Sequence, residues 1–314
     1  MSVKLLVAVT DNEWFDFLRA RPDLSEVNFW SPSAVNFRAL TVGELFLFKL
    51  KSPRNVIAGG GVFAHGNIMP CSLAWKAFGE ANGAGSFDEM RRQIAQYRRA
   101  AEDRFTDFEI GCRILTQPFF LPEAEWLPIP SDFSSNIVKF KTYDTREREA
   151  NALWELLVER VSPIDPLGHY AGPGLVEAAP PARFGEPHLI VPRLGQGAFR
   201  ILVTDIYERR CAVTGERTLP VLDAAHIKPY SAGGEHSGRN GILLRTDIHR
   251  LFDDGYVTIT PEQRFEVSTR IKEEFENGRE YYRFHGQPVR VPKLRLHKPD
   301  DDFLSWHNES RFRG

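Results

Sequence analysis

Apolar residues in the first 140 positions fall mostly in short runs of strand length. Leu5 to Val9 is the first, and the Thr10-Asp11-Asn12-Glu13 behind it supplies helix-starting residues ahead of Trp14, Phe15, Phe17 and Leu18. Runs from Val27 to Trp30, Leu45 to Leu50, Gly59 to His65 and Gly111 to Leu115 predict further strands. Gly59, Gly60 and Gly61 predict a bulge or a close backbone approach. Between Ser86 and Arg104 the spacing of Met90, Ile94 and Tyr97 is helical. Strands from both ends of this segment, flanking helical inserts, predict a small closed or nearly closed β-barrel.

Tyr143 to Val161 is charged and helical, with Leu153, Trp154, Leu157 and Val158 on one face. Glycine and proline are then frequent from Ser162 to Pro181, which predicts a connector. The expected organisation is an α+β chain with domains at 1–142 and 192–314, joined by a helix and flexible linker over 143–191.

The second domain opens on a helix expected from Ile201 to Arg210, with Arg200 just ahead of it. Val221 to Ala225 predicts a strand that ends at His226, and Pro229 closes it because proline cannot donate to a ladder. Ser231 to Gly234 and His236 to Gly241 are turn chemistry, Asn240-Gly241 most of all. Ile242 to Leu244 leads into a short helix, Thr246 to Asp253, with Thr246 or Asp247 as its cap. His249 and Asp253, four positions apart on that helix, share a face. Strand, loop, strand and helix thus bring His226, Asn240, His249 and Asp253 toward one end. A hairpin is expected over 255–268, and Phe284–Val289 and Trp306–His307 are expected to pack back on this domain, with His285 and His307 structural or surface residues.

With 314 residues, 42% of them hydrophobic, the chain can fill two cores. A net charge of −2 means that any contact with nucleic acid must rest on local patches. Lys49, Lys51, Arg54, Arg91, Arg92, Arg98 and Arg99 are the candidate phosphate contacts of the first domain. Cys71, Cys112 and Cys211 include no C-x-x-C pair, which excludes a four-cysteine zinc site and a disulfide framework and fits a reducing cytoplasm. No apolar run approaches membrane-spanning length, so a cytoplasmic protein without a membrane partner is expected.

Ala225-His226-Ile227-Lys228-Pro229, Gly233-Gly234, Asn240 to Leu244 and Asp247 to Gly255, in this order, closely resemble the HNH endonuclease family. The resemblance implies a small ββα-metal fold that hydrolyses phosphodiester bonds with one divalent ion. Such hydrolysis needs a base to activate water and a positive centre for the charge developing on the phosphate. An imidazole with a pKa of about 6.5 can accept a proton near neutral pH, which makes His226 the candidate general base. By resemblance, Asn240 holds that imidazole in place and His249 ligates the metal. Asp253 adds a carboxylate one turn later, a donor set suited to Mg2+ or Mn2+. Many members of the family carry an Asp or His ligand immediately before the first histidine, where this chain has Ala225. Either Asp223, on the same strand face, or His226 itself takes that place on this reading.

The first 140 residues resemble the PUA-related superfamily of EVE, ASCH and SRA domains, through Asn28-Phe29-Trp30 and the stretch from Asn36 to Phe48. In that superfamily the barrel often holds a modified base flipped from the duplex and stacked on aromatic rings. The resemblance implies Trp30 and Phe46 as stacking residues and Ser31 and Asn36 as polar readers, with Trp75, Phe120 and Trp126 as further aromatic candidates. Together the two resemblances imply a modification-dependent restriction endonuclease whose partner is modified duplex DNA. One HNH site cuts one strand, so cutting both implies a homodimer or two successive nicks. A nuclease for unmodified DNA or RNA stays open at this point, as does an inactive nucleic-acid-binding protein that lost a ligand at Ala225.

Overall fold

A computed structural model describes residues 3–98, 106–161 and 194–314, which belong to two compact units, Met1–Arg193 and Leu194–Gly314. Arg99, the connector expected from Ser162 to Pro181 and the boundary expected at 191–192 lie outside the described residues.

In the first unit the chain forms β1 (Lys4–Thr10), α1 (Asn12–Arg19), β2 (Glu26–Ser31), β3 (Leu45–Leu50), β4 (Val56–Pro70), α2 (Cys71–Phe78), α3 (Phe87–Arg98), β5 (Glu109–Phe120), β6 (Leu127–Pro128), β7 (Phe140–Asp144) and α4 (Arg148–Val161). Asp11 caps α1 by accepting the N–H groups of Glu13 and Trp14 on Oδ1. The strands join in the order β2-β5-β4-β3-β1-β7, with β6 on β4, and only the β1–β3 pair is parallel.

Alternation along β1 sends Leu5 and Val7 to one face and Leu6 and Ala8 to the other. The first face packs on Ala150, Leu153, Trp154 and Leu157 of α4, the second on Trp14, Phe15 and Leu18 of α1. Both faces are covered, so β1 and β3 read as continuous apolar runs and not as alternating ones. The triple glycine behaves as expected: a Cβ at Gly59 or Gly60 would overlap a carbonyl of the neighbouring strand, and the β4–β5 register shifts after Gly60.

The expected closed barrel is not formed among the described residues. The ladder path has two free ends, β2 paired to β5 and β7 paired to β1. β2 ends at Ser31, where Pro32 has no N–H to extend it, and residues 32–44 continue without strand structure. β7 itself occupies a stretch whose end the sequence assigns to a helix, and Tyr143 pairs with Leu5.

The second unit contains α5 (Gln196–Ile206), β8 (Leu222–His226), β9 (Gly241–Arg245), α6 (Thr246–Asp253), β10 (Val257–Ile259), β11 (Phe265–Val267), α7 (Arg270–Phe275), α8 (Arg279–Tyr282) and α9 (Asp301–Ser310). α5 lies earlier than expected and stops at Ile206, with Glu208 and Arg209 in the left-handed region at φ 54° and 57°. β8 and β9 pair antiparallel, setting Ala225 opposite Ile242 and His226 opposite Gly241, and α6 follows directly. His307 of α9 is structural: Thr258 Oγ1 donates to its Nδ1 at 2.8 Å, its Nε2 donates to the Phe252 carbonyl at 3.0 Å, and its ring stacks on Phe252. The three cysteines are buried and form no disulfide, and no helix among the described residues is long and apolar enough to cross a membrane.

Asn82 is a buried polar hub of the first unit. Its amide accepts from Asn28 Nδ2 and donates to the carbonyls of Ala74 and Gly79. Asn82→Ala strands those partners, so it should lower unfolding free energy by about 1–3 kcal/mol. Urea denaturation followed by tryptophan fluorescence is the measurement, because the indoles of Trp14 and Trp30 both donate to the Asn82 backbone carbonyl.

Candidate active site

Asn240 is fully buried immediately before β9. Its Oδ1 accepts the Lys228 N–H at 2.8 Å, and its Nδ2 donates to the carbonyls of Lys228 at 2.9 Å and Glu235 at 2.8 Å. Its backbone carbonyl accepts from Ile227 at 3.0 Å. The sequence suggests that Asn240 and Gly241 turn the chain, and the resemblance implies that Asn240 holds the imidazole of His226 through a backbone or side-chain hydrogen bond. In the structure Gly241 is extended at φ −124° and begins β9, while the Asn240 amide grips the loop backbone. Gly233 and Gly234 serve this loop for different reasons. Gly233 sits at φ 86°, and a Cβ on Gly234 would overlap the Lys228 carbonyl and crowd Asn240 Nδ2 at 2.8 Å.

His226, at the end of β8, lies flat on Phe199 of α5, with ring centroids 3.8 Å apart and planes 9° from parallel. Its Nε2 is 2.9 Å from Nδ1 of His236, and its Nδ1 meets no protein partner among the described residues. Burial, with lesser contributions from His236 and His249, pushes the His226 imidazole down to about 4. At neutral pH it is therefore the unprotonated form, able to accept a proton. His236 had shown in the sequence only as part of a turn. Only the folding back of the loop brings it here, so spacing carried no signal of the contact.

His249 stands between two carboxylates. Its Nδ1 is 3.9 Å from Asp223 Oδ2 and its Nε2 is 3.3 Å from Asp253 Oδ2. Asp223 is itself held by Arg200 Nη2 at 2.8 Å and by the Thr246 hydroxyl at 2.9 Å. Thr246 is thus an anchor for Asp223 and not the helix cap; Arg245 occupies the cap position without a side-chain capping bond. Ala225 is fully buried in the apolar core, so the carboxylate near His249 on this strand is Asp223. Partial burial raises the Asp253 carboxyl above its ordinary range against the opposing pull of His249. Among the described residues no three His, Cys, Asp or Glu side chains are arranged to hold an ion.

In the first unit Trp30, Ser31, Asn36 and Phe46 all line one cavity of about 520 Å³, together with Arg113, whereas Trp75, Phe120 and Trp126 do not. Phe46 is buried against Phe29 and forms a wall. Trp30 is fixed by its indole N–H on the Asn82 carbonyl at 2.9 Å and meets the edge of Tyr97. Asn36 is exposed at the rim. Several candidate phosphate contacts have partners of their own: Lys51 binds Asp11, Arg54 binds Asp16, Lys49 binds Asn55 and Arg98 binds the Pro32 carbonyl.

Gly234→Ala should lower both the melting temperature and the activity of the second unit by displacing the Asn240 clamp, while Gly234→Ser does no better; thermal melting of the full chain checks this. The pH dependence of stability has a defined sign. His226 and His307 titrate near 4 in the fold and at about 6.5 when unfolded, so between these values the unfolded chain binds more protons. Their contribution is present above pH 6.5 and is lost as pH falls toward 4. His307→Gln removes one of the two groups and should make the fall in denaturation midpoint between pH 7 and pH 4.5 shallower.

An HNH endonuclease family model matches residues 211–260. No curated protein matches the chain. Among solved structures, ASCH from Zymomonas mobilis is similar at 11% identity and TM-score 0.34, over 48% of this chain and 94% of that one. A second, the modification dependent TagI restriction endonuclease, is similar at 13% identity and TM-score 0.30, over 98% of this chain and 81% of that one. The family match spans Cys211 to Thr260 and so takes in β8, β9 and α6 with His226, Asn240 and His249, and on this ground the chain is a nuclease built on an HNH endonuclease domain.

Proposed function

We propose that the chain is a divalent-metal-dependent DNA endonuclease that reads a modified base with its first unit and cuts with the second. The observation that carries the reader half is the convergence of Trp30, Ser31, Asn36 and Phe46 on one cavity. Its volume lies within the roughly 300–1,000 Å³ usual for small-ligand sites. A base flipped from the duplex would lie against Trp30, with Ser31 and Asn36 offering edge hydrogen bonds.

In the cutting half, His226 Nδ1 takes a proton from water as the water oxygen attacks phosphorus. The bond from phosphorus to the 3′ oxygen breaks, and the departing oxygen takes a proton from solvent. Asp223 and His249 fit a hard cation: their facing atoms, 3.9 Å apart, are too distant for a hydrogen bond but near enough for two ligands of one ion. Mg2+ or Mn2+ bound by them, with water and phosphate completing its shell, would supply the positive charge that stabilises the pentavalent phosphate. Asp253 faces the other nitrogen of the ring, so its role is to orient His249 and not to share the ion through it. Cutting both strands takes a homodimer or two successive nicks.

The test is cleavage of matched duplexes, unmodified, cytosine-methylated, hydroxymethylated and phosphorothioated, with Mg2+ or Mn2+. Cutting confined to one modified duplex, abolished by a chelator and slowed at least about 100-fold by His226→Ala, is expected. Trp30→Ala should weaken binding of that duplex toward the level of the unmodified one. Equal cutting of every duplex would remove the reader, and cutting that survives chelation would remove the metal.

A further inference from the structure

We infer that His236 is a positioning residue for the nuclease reaction, holding His226 in the one tautomer that leaves Nδ1 free to accept a proton. This rests on the reading of His226 as the general base. Two ring nitrogens 2.9 Å apart share one hydrogen. If His236 donated it, the neutral His226 would carry its own proton on Nδ1, and neither nitrogen could accept another without breaking the pair. If His226 donates from Nε2, its Nδ1 lone pair stays open, and Nδ1 is the nitrogen that meets no protein group among the described residues. His236 then carries its proton on Nε2 and accepts on Nδ1.

The surroundings suit this task. His236 stacks on Tyr230 with planes 13° apart, meets Phe199 at a tilt of 55°, and follows Glu235, whose carbonyl is tied to Asn240. Phe199 touches both imidazoles, so one ring fixes the pair. The carboxylates that could have done the same, Asp223 and Asp253, face His249 instead. A neutral acceptor leaves His226 low in basicity, where a carboxylate would raise it. During the reaction one proton moves from water to His226 Nδ1, the bond from Nε2–H to His236 persists, and the Nδ1 proton later leaves to solvent. No other group changes state.

Single-turnover cleavage by the full chain, with DNA affinity measured separately by fluorescence anisotropy without metal, tests the assignment. His236→Ala should slow bond breaking by about 10–100-fold, less than His226→Ala does, while the Kd for DNA changes less than twofold. His236→Asn, whose side-chain oxygen replaces the accepting nitrogen, should recover most of the rate at an equal melting temperature. His236→Asp should shift the acid limb of the pH–rate profile upward. A wild-type rate in His236→Ala, an Asn variant no faster than Ala, or a loss confined to Kd would overturn the proposal. A wild-type rate in His226→Ala would instead overturn the base assignment on which it rests.

Discussion

The buried amide of Asn240 is the constraint on which the active site depends. A loop between two strands carries backbone groups that no ladder satisfies, and burying them unpaired costs free energy comparable to a lost hydrogen bond. A carboxamide is a neutral side chain that accepts on one atom and donates twice from another, and Asn240 uses both capacities on Lys228 and Glu235. One side chain thereby ties the exit of β8 to the entry of β9. The glycines at 233 and 234 are the complement of that clamp, one for the left-handed turn and one for the space the amide and the Lys228 carbonyl occupy. His226 lies just before this knot, His236 inside it, and α6 with His249 just after β9.

Two histidines in one small unit are given different surroundings by their neighbours. His226 lies on an aromatic face and is kept neutral by burial. His249 sits among carboxylates, one of them fastened by Arg200 and Thr246. An imidazole pressed against hydrocarbon is a poor cation and so stays neutral with its lone pair available, whereas one flanked by carboxylates lies in a field that favours positive charge. The difference follows from α5, which supplies both Phe199 and Arg200 and so shapes each environment from adjacent positions.

The first unit solves a different problem. Its sheet is covered on both faces, by α1 on one and α4 on the other. Beside this packed core Trp30 is held by a carbonyl and Phe46 by its neighbouring rings, so the cavity they line has stiff walls. Many of the cations that a net charge of −2 leaves available are committed to local partners. Affinity for a polyanion would therefore rest on shape and a few unspent charges.

Hydrophobic periodicity determined where most strands and helices lie, because burial of one face is a local rule: β1, β3 and α6 match the expected runs, and Asp11 caps α1 through chemistry visible in four residues. The ordered pieces from Ala225 to Gly255 determined the ββα unit and brought His226, Asn240 and His249 to it, since motif order survives folding. What the sequence alone left undecided were matters of long-range pairing. Whether the first sheet closes depended on which edges find partners, and β2 and β7 do not pair with each other. That Asn240 grips backbone and not imidazole, that Asp223 is the carboxylate facing His249 from β8, and that His236 meets His226 were all decided by tertiary structure. A loop's path depends on the hydrogen bonds its backbone must find, and those partners are fixed only when the chain has closed on itself.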